Sequence, residues 1–289
     1  MQNHHNSEPI QNQNKFDCYI INLDISVERW NVIERCEELR KLNVIRVSAV
    51  NGAEIELPHP DFSAWKYFWF CGRKPTRGEI GCYFSHIKAI KIFLESQKAY
   101  CIIGEDDFEP VSGFTEIIEA ALEYGNTWDI LRFFNTRRPF PYADLGGGYK
   151  LASPLRPGSM TTAYMINRKA AEKILSRCVP MWKPFDSILF SDVPFLKESV
   201  VYPFPVINND SRKHSDIDAI NGISNQQRDK KARYSWLSLA VFRFLTVIPW
   251  RFYSYFLRYA CNFTTAILRR FPVKKVPLRR QFHDKQFTR

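Results

Sequence analysis

Short apolar runs alternate with amphipathic stretches over the first two thirds of the chain, and this pattern predicts an α/β fold. The apolar runs Phe16–Leu23, Val44–Val50 and Ala99–Gly104 have the length and composition of strands. Val27 to Leu42, preceded by the capping residue Ser26, predicts a helix between the first two strands. A strand–helix–strand unit of this size indicates parallel pairing, so we expect a mostly parallel central sheet.

The same pattern continues towards residue 208 with further helices and strands. A helix follows the stretch Gly78–His86 and runs to Glu95, with Ile87, Ile90 and Leu94 on one face. Further predicted elements are a helix from Phe114 to Tyr124, strands at Trp128–Phe134 and Met160–Ile166, and a helix from Arg168 to Arg177 capped by Asn167. The glycines Gly146–Gly148 precede no clear helix, so they indicate a connection rather than a phosphate-binding loop.

Carboxylates cluster directly after the third predicted strand, at Glu105, Asp106, Asp107 and Glu109. Because unpaired charges are costly to bury, this strand must end at a surface or in a cleft. Carboxylates at the carboxyl end of a strand suit a hard divalent cation, which prefers oxygen ligands. On the acidic run alone, a solvated turn remains the alternative to a metal site.

The net charge of +11 is concentrated at the C-terminal end of the chain. Residues 228–289 hold 15 lysines and arginines against 2 acidic residues, a net charge of +13, whereas residues 1–227 hold 26 against 28, a net charge of −2. We therefore expect three parts: a disordered polar leader (1–15), a main domain (16–227) and a basic C-terminal segment (228–289). Such asymmetry predicts an anionic partner, either a membrane surface or a nucleic acid.

The basic segment also carries the pattern of an amphipathic helix. Arg243, Arg251 and Arg258 fall on one side at helical spacing, with aromatic residues mostly elsewhere. A helix of this kind suits the surface of an anionic membrane, and the alternative is a helical flap packed on the main domain. A nucleic-acid partner is disfavoured, because the acidic cluster would repel phosphate. The apolar stretch Phe244–Trp250 is too short to span a bilayer.

Several reaction classes lack their motifs in this sequence. There is no Walker A loop, no dinucleotide-binding glycine pattern after the first strand and no nucleophile elbow. The seven cysteines are widely spaced without a C-x-x-C pair, which indicates a reducing compartment. An acidic cluster after a central strand instead suits a metal that bridges two phosphates, as in transfer of a sugar from a nucleoside diphosphate.

Several motifs carry a resemblance to glycosyltransferase family 25, the bacterial lipooligosaccharide galactosyltransferases and their collagen-modifying relatives. Tyr19–Asp24, followed by Glu28-Arg29, resembles the opening motif of that family. Gly78–His86 resembles its central motif and Glu105–Asp107 its acidic motif, in the usual order and at the usual distance. The match continues through Trp128–Leu131, Thr162–Tyr164 and Pro184–Asp186, and covers roughly Phe16 to His214.

The resemblance implies a GT-A-like fold, a UDP-sugar donor and inversion at the sugar carbon. It implies transfer of galactose from UDP-galactose to a lipooligosaccharide or lipopolysaccharide core, by an enzyme peripheral on the cytoplasmic face of the bacterial inner membrane. Two alternatives stay open, which are another donor such as UDP-glucose or UDP-GlcNAc, and an inactive family member that acts as a binding protein.

The acidic motif and two later residues are expected to perform the chemistry. We assign Asp107 to a divalent metal (Mn²⁺ or Mg²⁺), Asp106 to the metal or the donor ribose, and Glu105 as a further ligand. His214 is a candidate for a third ligand or a diphosphate contact, and a surface histidine is the alternative. Asp186 is the candidate general base for the acceptor hydroxyl, with a helix cap as the alternative.

The remaining candidates are expected to bind the donor. Asn22, Leu23 and Arg29 are placed to line the uridine pocket, because the first strand of such a sheet ends there, and Asn51 is a further candidate. Ser85 and His86 are expected to open a helix whose N-terminal amides meet phosphate.

Two positions depart from the family pattern. Gly104 stands where an aliphatic residue is usual, and a glycine admits close approach of a ligand. Ser187 follows Asp186 where some relatives have a second carboxylate, which leaves open which carboxylate acts as the base.

Overall fold

The computed structural model describes residues 15–154, 160–193 and 195–208, together with Tyr253 and Phe256. Strands occupy ten segments: β1 Phe16–Asn22, β2 Val44–Ser48, β3 Tyr100–Glu105, β4 Phe108–Pro110, β5 Ile130–Arg132, β6 Phe140–Gly146, β7 Tyr149–Ser153, β8 Ala163–Asn167, β9 Glu198–Tyr202 and β10 Val206–Asn208. The predicted leader (apart from Lys15), the basic segment 228–289 (apart from two residues) and His214 lie outside the described residues.

In the described ranges between residues 15 and 208, helices occupy seven segments: α1 Val27–Arg35, α2 Glu37–Arg40, α3 Ala64–Cys71, α4 Arg77–Glu95, α5 Phe114–Leu122, α6 Arg168–Cys178 and the short α7 Phe185–Ser187, which continues into a π-helical turn at Ile188–Asp192. The helix predicted from Val27 to Leu42 is thus two helices. They are separated at Cys36, whose ψ of 113° is extended.

The described strands form an eight-stranded sheet in the order β2-β1-β3-β8-β5-β9-β7-β6, and β4 pairs with β10 beside it. The pairs β1–β2, β1–β3 and β5–β9 are parallel, whereas β3–β8, β5–β8, β7–β9 and β6–β7 are antiparallel. The sheet is therefore mixed, and the expectation of a mostly parallel sheet is wrong.

The prediction failed in the second half of the chain, where hairpin pairing replaces helical crossovers. Gly146–Gly148, which the sequence indicated only as a connection, form the tight turn between β6 and β7. All three have positive φ (83°, 57° and 83°), a conformation that glycine adopts without the clash of a Cβ. The chain then enters β8 against the direction of β3, so the sheet changes from parallel to antiparallel at that pair.

Both faces of the sheet are covered, which explains why its central strands read as continuous apolar runs. In β1, Tyr19 and Ile21 pack in the cluster that contains α4 and α6, whereas Cys18 and Ile20 pack in the cluster that contains α5. Because side chains alternate between faces, the residues from Cys18 to Ile21 pack in apolar clusters on both faces of the sheet, and Asn22 ends the strand.

The strand order reverses at the carboxyl ends of β1 and β3, which is where a crevice is expected in an open α/β sheet. From β1 the chain moves to β2 on one side, and β3 then pairs on the other side of β1. Ligands in open α/β sheets bind outside the carboxyl ends of strands at such a reversal. Ile21 of β1 pairs with Glu105 of β3, so the polar residues that follow both strands lie at the same edge.

Candidate active site

The acidic run forms a tight turn at this edge of the sheet. β3 ends at Glu105, Asp106 and Asp107 form the turn, and β4 begins at Phe108. The amide of Glu105 donates to the carbonyl of Thr162, 3.0 Å away, so the antiparallel neighbour β8 fixes the start of the turn. Each of the three carboxylates has a different environment.

Asp106 is held by cationic and amide donors from the first part of the chain. Asn22 Nδ2 donates to Asp106 Oδ2 at 2.7 Å, and Arg29 Nη1 donates to Asp106 Oδ1 at 2.9 Å. Asn22 is in turn oriented by Arg46, whose Nη2 donates to Asn22 Oδ1 at 2.6 Å. Two candidates for the uridine pocket, Asn22 and Arg29, thus lie directly against the acidic turn, and both oxygens of Asp106 accept hydrogen bonds from the chain.

Asp107 has the opposite environment. Its Oδ1 atom is buried and has no hydrogen-bond partner among the described residues. Burial, together with the charges of Glu105 and Asp106, raises the pKa of Asp107 to about 7. An orphaned, buried carboxylate oxygen beside two other carboxylates is the arrangement that a divalent cation would satisfy, so the residues present fit the predicted metal.

Glu105 lies between a threonine and a histidine. Its Oε1 accepts a hydrogen bond from Thr161 Oγ1 at 2.6 Å and lies 3.4 Å from His86 Nε2. Burial disfavours its charge, but the hydrogen bond and charge of His86, with the Thr161 hydroxyl, outweigh burial and lower the pKa of Glu105. Glu105 therefore stays ionised and is available to a cation.

His86 is fixed from both sides by aromatic residues. Its Nδ1 lies 3.0 Å from the hydroxyl of the buried Tyr164, and its ring stacks on Phe185 with centroids 4.7 Å apart. This packing aims the Nε2 atom at the acidic turn.

Ser85 and His86 do not open a helix, so the expectation that their amides meet phosphate is wrong. Helix α4 begins at Arg77, where Thr76 and Glu79 form a capping box, and both residues lie well inside it. Ser85 Oγ instead donates to the carbonyl of Gly81 at 2.7 Å and accepts from the amide of Val50 at 2.8 Å. The central motif thus packs α4 closely against the chain after β2.

Gly104 makes room for a side chain rather than for a ligand. A Cβ at this position would lie 3.0 Å from Phe108 Cδ1 and 3.2 Å from Ile20 Cδ1. The close approach inferred from the sequence is real, but the group that approaches is the ring of Phe108, which β4 folds back against β3. The departure from the family pattern therefore concerns packing under the turn.

Asp186 lies at the start of α7. The preceding residue, Phe185, stacks on His86, so Asp186 is on the side of the acidic turn where His86 contacts Glu105, which we call the histidine side. Its Oδ2 accepts from the amide of Met160 at 3.2 Å and its Oδ1 from the amide of Ser187 at 2.6 Å. Burial, followed by the charges of Glu105 and Asp186, raises the pKa of the Cys82 thiol, so both carboxylates act on Cys82. The buried Arg132 Nη2 donates to the carbonyl of Met160 at 3.3 Å and so supports the segment that holds Asp186.

A family model described as glycosyltransferase family 25 (LPS biosynthesis protein) matches residues 16–145. Over these residues, a little under half of its length, the chain is similar to glycosyltransferase family 25. No curated protein matches the chain. The match indicates a glycosyltransferase of a family involved in lipopolysaccharide biosynthesis, and such an enzyme implies a nucleotide-sugar donor.

The family 25 match includes the opening, central and acidic motifs but ends before Asp186. Of the remaining candidates, Leu23 is half-buried directly after β1, and its carbonyl accepts from the amide of Ser26 at 2.9 Å. Asn51 is occupied by its own turn, because Nδ2 donates to Glu54 Oε1 at 2.9 Å and Oδ1 accepts from the amide of Ala53 at 3.0 Å. Asn51 thus makes local contacts that do not extend to the acidic turn.

Four residues of the site were missed as functional candidates by the sequence reasoning: Arg46, Cys82, Thr161 and Tyr164. Cys82 and Tyr164 lie within the motifs that resemble those of family 25, and this position was a signal that could have identified them. Arg46 and Thr161 gave no signal, because their role depends on strand register, which brings β2 beside β1 and the start of β8 beside the end of β3.

Proposed function

We propose that this family 25 glycosyltransferase transfers galactose from UDP-galactose to a sugar of a lipooligosaccharide or lipopolysaccharide core, with inversion at the transferred carbon. The observation that carries this proposal is the acidic turn, where the orphaned Asp107 oxygen lies beside the ionised Glu105. Asn22 and Arg29 adjoin this turn at the crevice where an α/β sheet binds nucleotides.

In the proposed site, Asp107 and Glu105 would hold Mn²⁺ or Mg²⁺, with His214 as a further candidate ligand. Bound there, the cation would neutralise the charge that develops on the leaving diphosphate. Asp106 is the donor-ribose candidate, since Arg29 and Asn22 fix both of its oxygens. The side of the turn where Arg29 contacts Asp106, the arginine side, would therefore bind the nucleotide, and the histidine side would hold the reacting groups.

Asp186 is the proposed general base. It would accept the proton of the acceptor hydroxyl while that oxygen attacks the sugar carbon from the face opposite the diphosphate, which gives inversion. Its position supports this role, because it lies near Cys82 and Glu105 on the histidine side and its carboxylate is fixed by the amides of Met160 and Ser187.

Sugar transfer is tested by incubating the purified protein with a panel of UDP-sugars, with and without Mn²⁺, and measuring released UDP. We expect release from UDP-galactose, Mn²⁺ dependence and faster release when a core oligosaccharide acceptor is added. Faster release of UDP from UDP-glucose or UDP-GlcNAc would show that this sugar nucleotide, and not UDP-galactose, is the donor. No release from any UDP-sugar would favour an inactive family member that acts as a binding protein.

We also propose that residues 228–289 hold the enzyme at an anionic membrane, where its glycolipid acceptor is located. Their net charge of +13 supports this proposal, since each basic residue near an acidic leaflet contributes on the order of 1 kcal/mol. No helix among the described residues is long and apolar enough to cross a membrane.

Membrane binding is tested by sedimentation with anionic and with neutral liposomes. Replacing Lys274, Lys275, Arg279 and Arg280 by glutamine should reduce binding to anionic liposomes and leave UDP release unchanged. Equal binding of this variant and the original chain would contradict an electrostatic anchor.

A further inference from the structure

Three side chains with metal-binding atoms meet beneath the acidic turn. Cys82 Sγ, a ring nitrogen of His86 and a carboxylate oxygen of Glu105 all lie within 4.8 Å of one another. Cys82 and His86 are one helical turn apart on α4, so they present their ligand atoms from the same helix face. Glu105 completes the group from the end of β3.

The neighbours of this group hold the ligand atoms in place. The Tyr164 hydroxyl lies 3.0 Å from His86 Nδ1, and Phe185 stacks on the ring, which leaves Nε2 directed at Glu105, 3.4 Å away. Thr161 Oγ1 donates to Glu105 Oε1 at 2.6 Å. Partners that fix the second nitrogen of a histidine and orient a carboxylate are the outer shell that metal sites require.

The types of donor atom decide which cation this group would take. Mg²⁺ and Ca²⁺ are bound by oxygen ligands, whereas a thiolate and an imidazole favour Zn²⁺ and similar borderline ions. Three protein ligands also leave the fourth tetrahedral position open, as in zinc sites that retain a water molecule. The carboxylate pair Glu105 and Asp107 has only oxygen donors, so the two arrangements select different ions.

We propose that Cys82, His86 and Glu105 form a zinc site with an open fourth position. This site differs from the Asp107 cation site, although Glu105 would be a ligand in both. The proposal rests on the geometry of these three side chains and is independent of the donor sugar. The Asp186 charge also acts on Cys82. Zinc bound there would therefore lie next to the proposed general base.

The test uses Co²⁺ as a spectroscopic probe for zinc, added to the metal-free full-length protein without nucleotide. We expect one equivalent of Co²⁺ to give a thiolate-to-cobalt charge-transfer band, which Zn²⁺ then abolishes by displacement. Cys82→Ser should eliminate the band, and His86→Gln should weaken binding by more than ~100-fold. Tyr164→Phe, which removes only an outer partner, should weaken it by about 10–100-fold.

Two control variants make the assignment specific. Cys71→Ser removes another half-buried thiol outside the group and should leave the band unchanged. Asp107→Asn should also leave it unchanged, even if that variant loses sugar transfer, so failure of the zinc site and failure of the proposed activity are distinguishable. The proposal is overturned if the unaltered protein gives no charge-transfer band, if Cys82→Ser retains it, or if Cys71→Ser or Asp107→Asn abolishes it.

Discussion

Two neighbouring carboxylates of the same turn, Asp106 and Asp107, have opposite environments. Both oxygens of Asp106 accept hydrogen bonds from the chain, from Asn22 and Arg29. Asp107 carries a buried oxygen with no partner among the described residues, and its pKa is raised to about 7. A fully paired carboxylate organises its surroundings, whereas an unsatisfied one costs stability in the free protein and gains a partner when a cation binds.

The difference extends to the two sides of the turn. On the arginine side, Arg29, Arg46 and Asn22 form a connected set of donors built from β1, α1 and β2. On the histidine side, His86 and Glu105 are joined by Thr161 from the start of β8. The first side is rich in fixed positive charge, which suits a nucleotide, and the second holds groups that can move or share protons.

The largest effect is expected for Asp107→Ala. Removing the orphaned carboxylate should lower sugar transfer by at least about 1000-fold, since a cation that stabilises the leaving group supplies several kcal/mol. Released UDP measured with and without Mn²⁺ checks this result. Glu109→Gln, in the same acidic run but exposed on β4, is the matched control and should retain transfer. If Asp107→Ala retained normal activity, the proposal that Asp107 binds the metal would be wrong.

A smaller loss is expected for Asp186→Asn. Turnover should fall at least ~100-fold, the lower range for loss of a general base, because the amide cannot accept the acceptor proton. Donor binding should be preserved, since Asp186 lies on the histidine side of the turn. Titration calorimetry with UDP compares binding, and initial rates compare turnover. If donor affinity fell together with turnover, Asp186 would belong to the donor site instead.

Arg29→Ala should act mainly on the donor. It removes the 2.9 Å ion pair to Asp106, so we expect the KM for the UDP-sugar to rise about 10-fold, equivalent to about 1.4 kcal/mol. The turnover number should change much less. Steady-state kinetics over a range of donor concentrations measures both quantities. A loss confined to turnover would show that the two sides of the turn do not divide binding from chemistry.

The smallest effect concerns stability in the absence of metal. At a pH above about 7, where Asp107 is ionised, Asp107→Asn removes a buried charge that lies beside two other carboxylates, so the free energy of unfolding in EDTA should increase by about 1 kcal/mol. Denaturant unfolding of both proteins at the same pH measures the change. Asp106→Asn is the comparison and should destabilise the fold, because it breaks the pair with Arg29. Equal responses of the two variants would refute the difference between the carboxylates.

The sequence predicted the first half of the fold better than the second. The strands and helix α4 around the acidic run follow from local hydrophobic periodicity, which depends on residues near one another in the chain. The mixed sheet could not be predicted in this way, because the direction of β8 relative to β3 and β5 depends on pairing between residues that are far apart in the chain. The same limit applies to Thr161, whose contact with Glu105 exists only in the folded register.

The sequence predicted a carboxylate cluster at the end of a strand, but not the arrangement of its side chains. Glu105, Asp106 and Asp107 were identified as a cluster at a strand end, and Asn22 and Arg29 as neighbours of a pocket. The spacing along the chain places the carboxylates together, but it does not show which of them forms an ion pair with an arginine. The incorrect placement of Ser85 and His86 at a helix start has the same origin, because the start of α4 was predicted a few residues too late and its capping box at Thr76 and Glu79 was missed.

The sequence by itself determined that an α/β domain carries a carboxylate cluster at the end of a buried strand and that its motifs are those of family 25, because apolar periodicity and contiguous motifs are local properties. Only the tertiary structure decided that Asp106 is paired and Asp107 is not, that Gly104 accommodates Phe108, and that Cys82 and His86 meet Glu105. The physical reason is that hydrogen bonds, burial and charge act through space, between residues that the strand order brings to one edge.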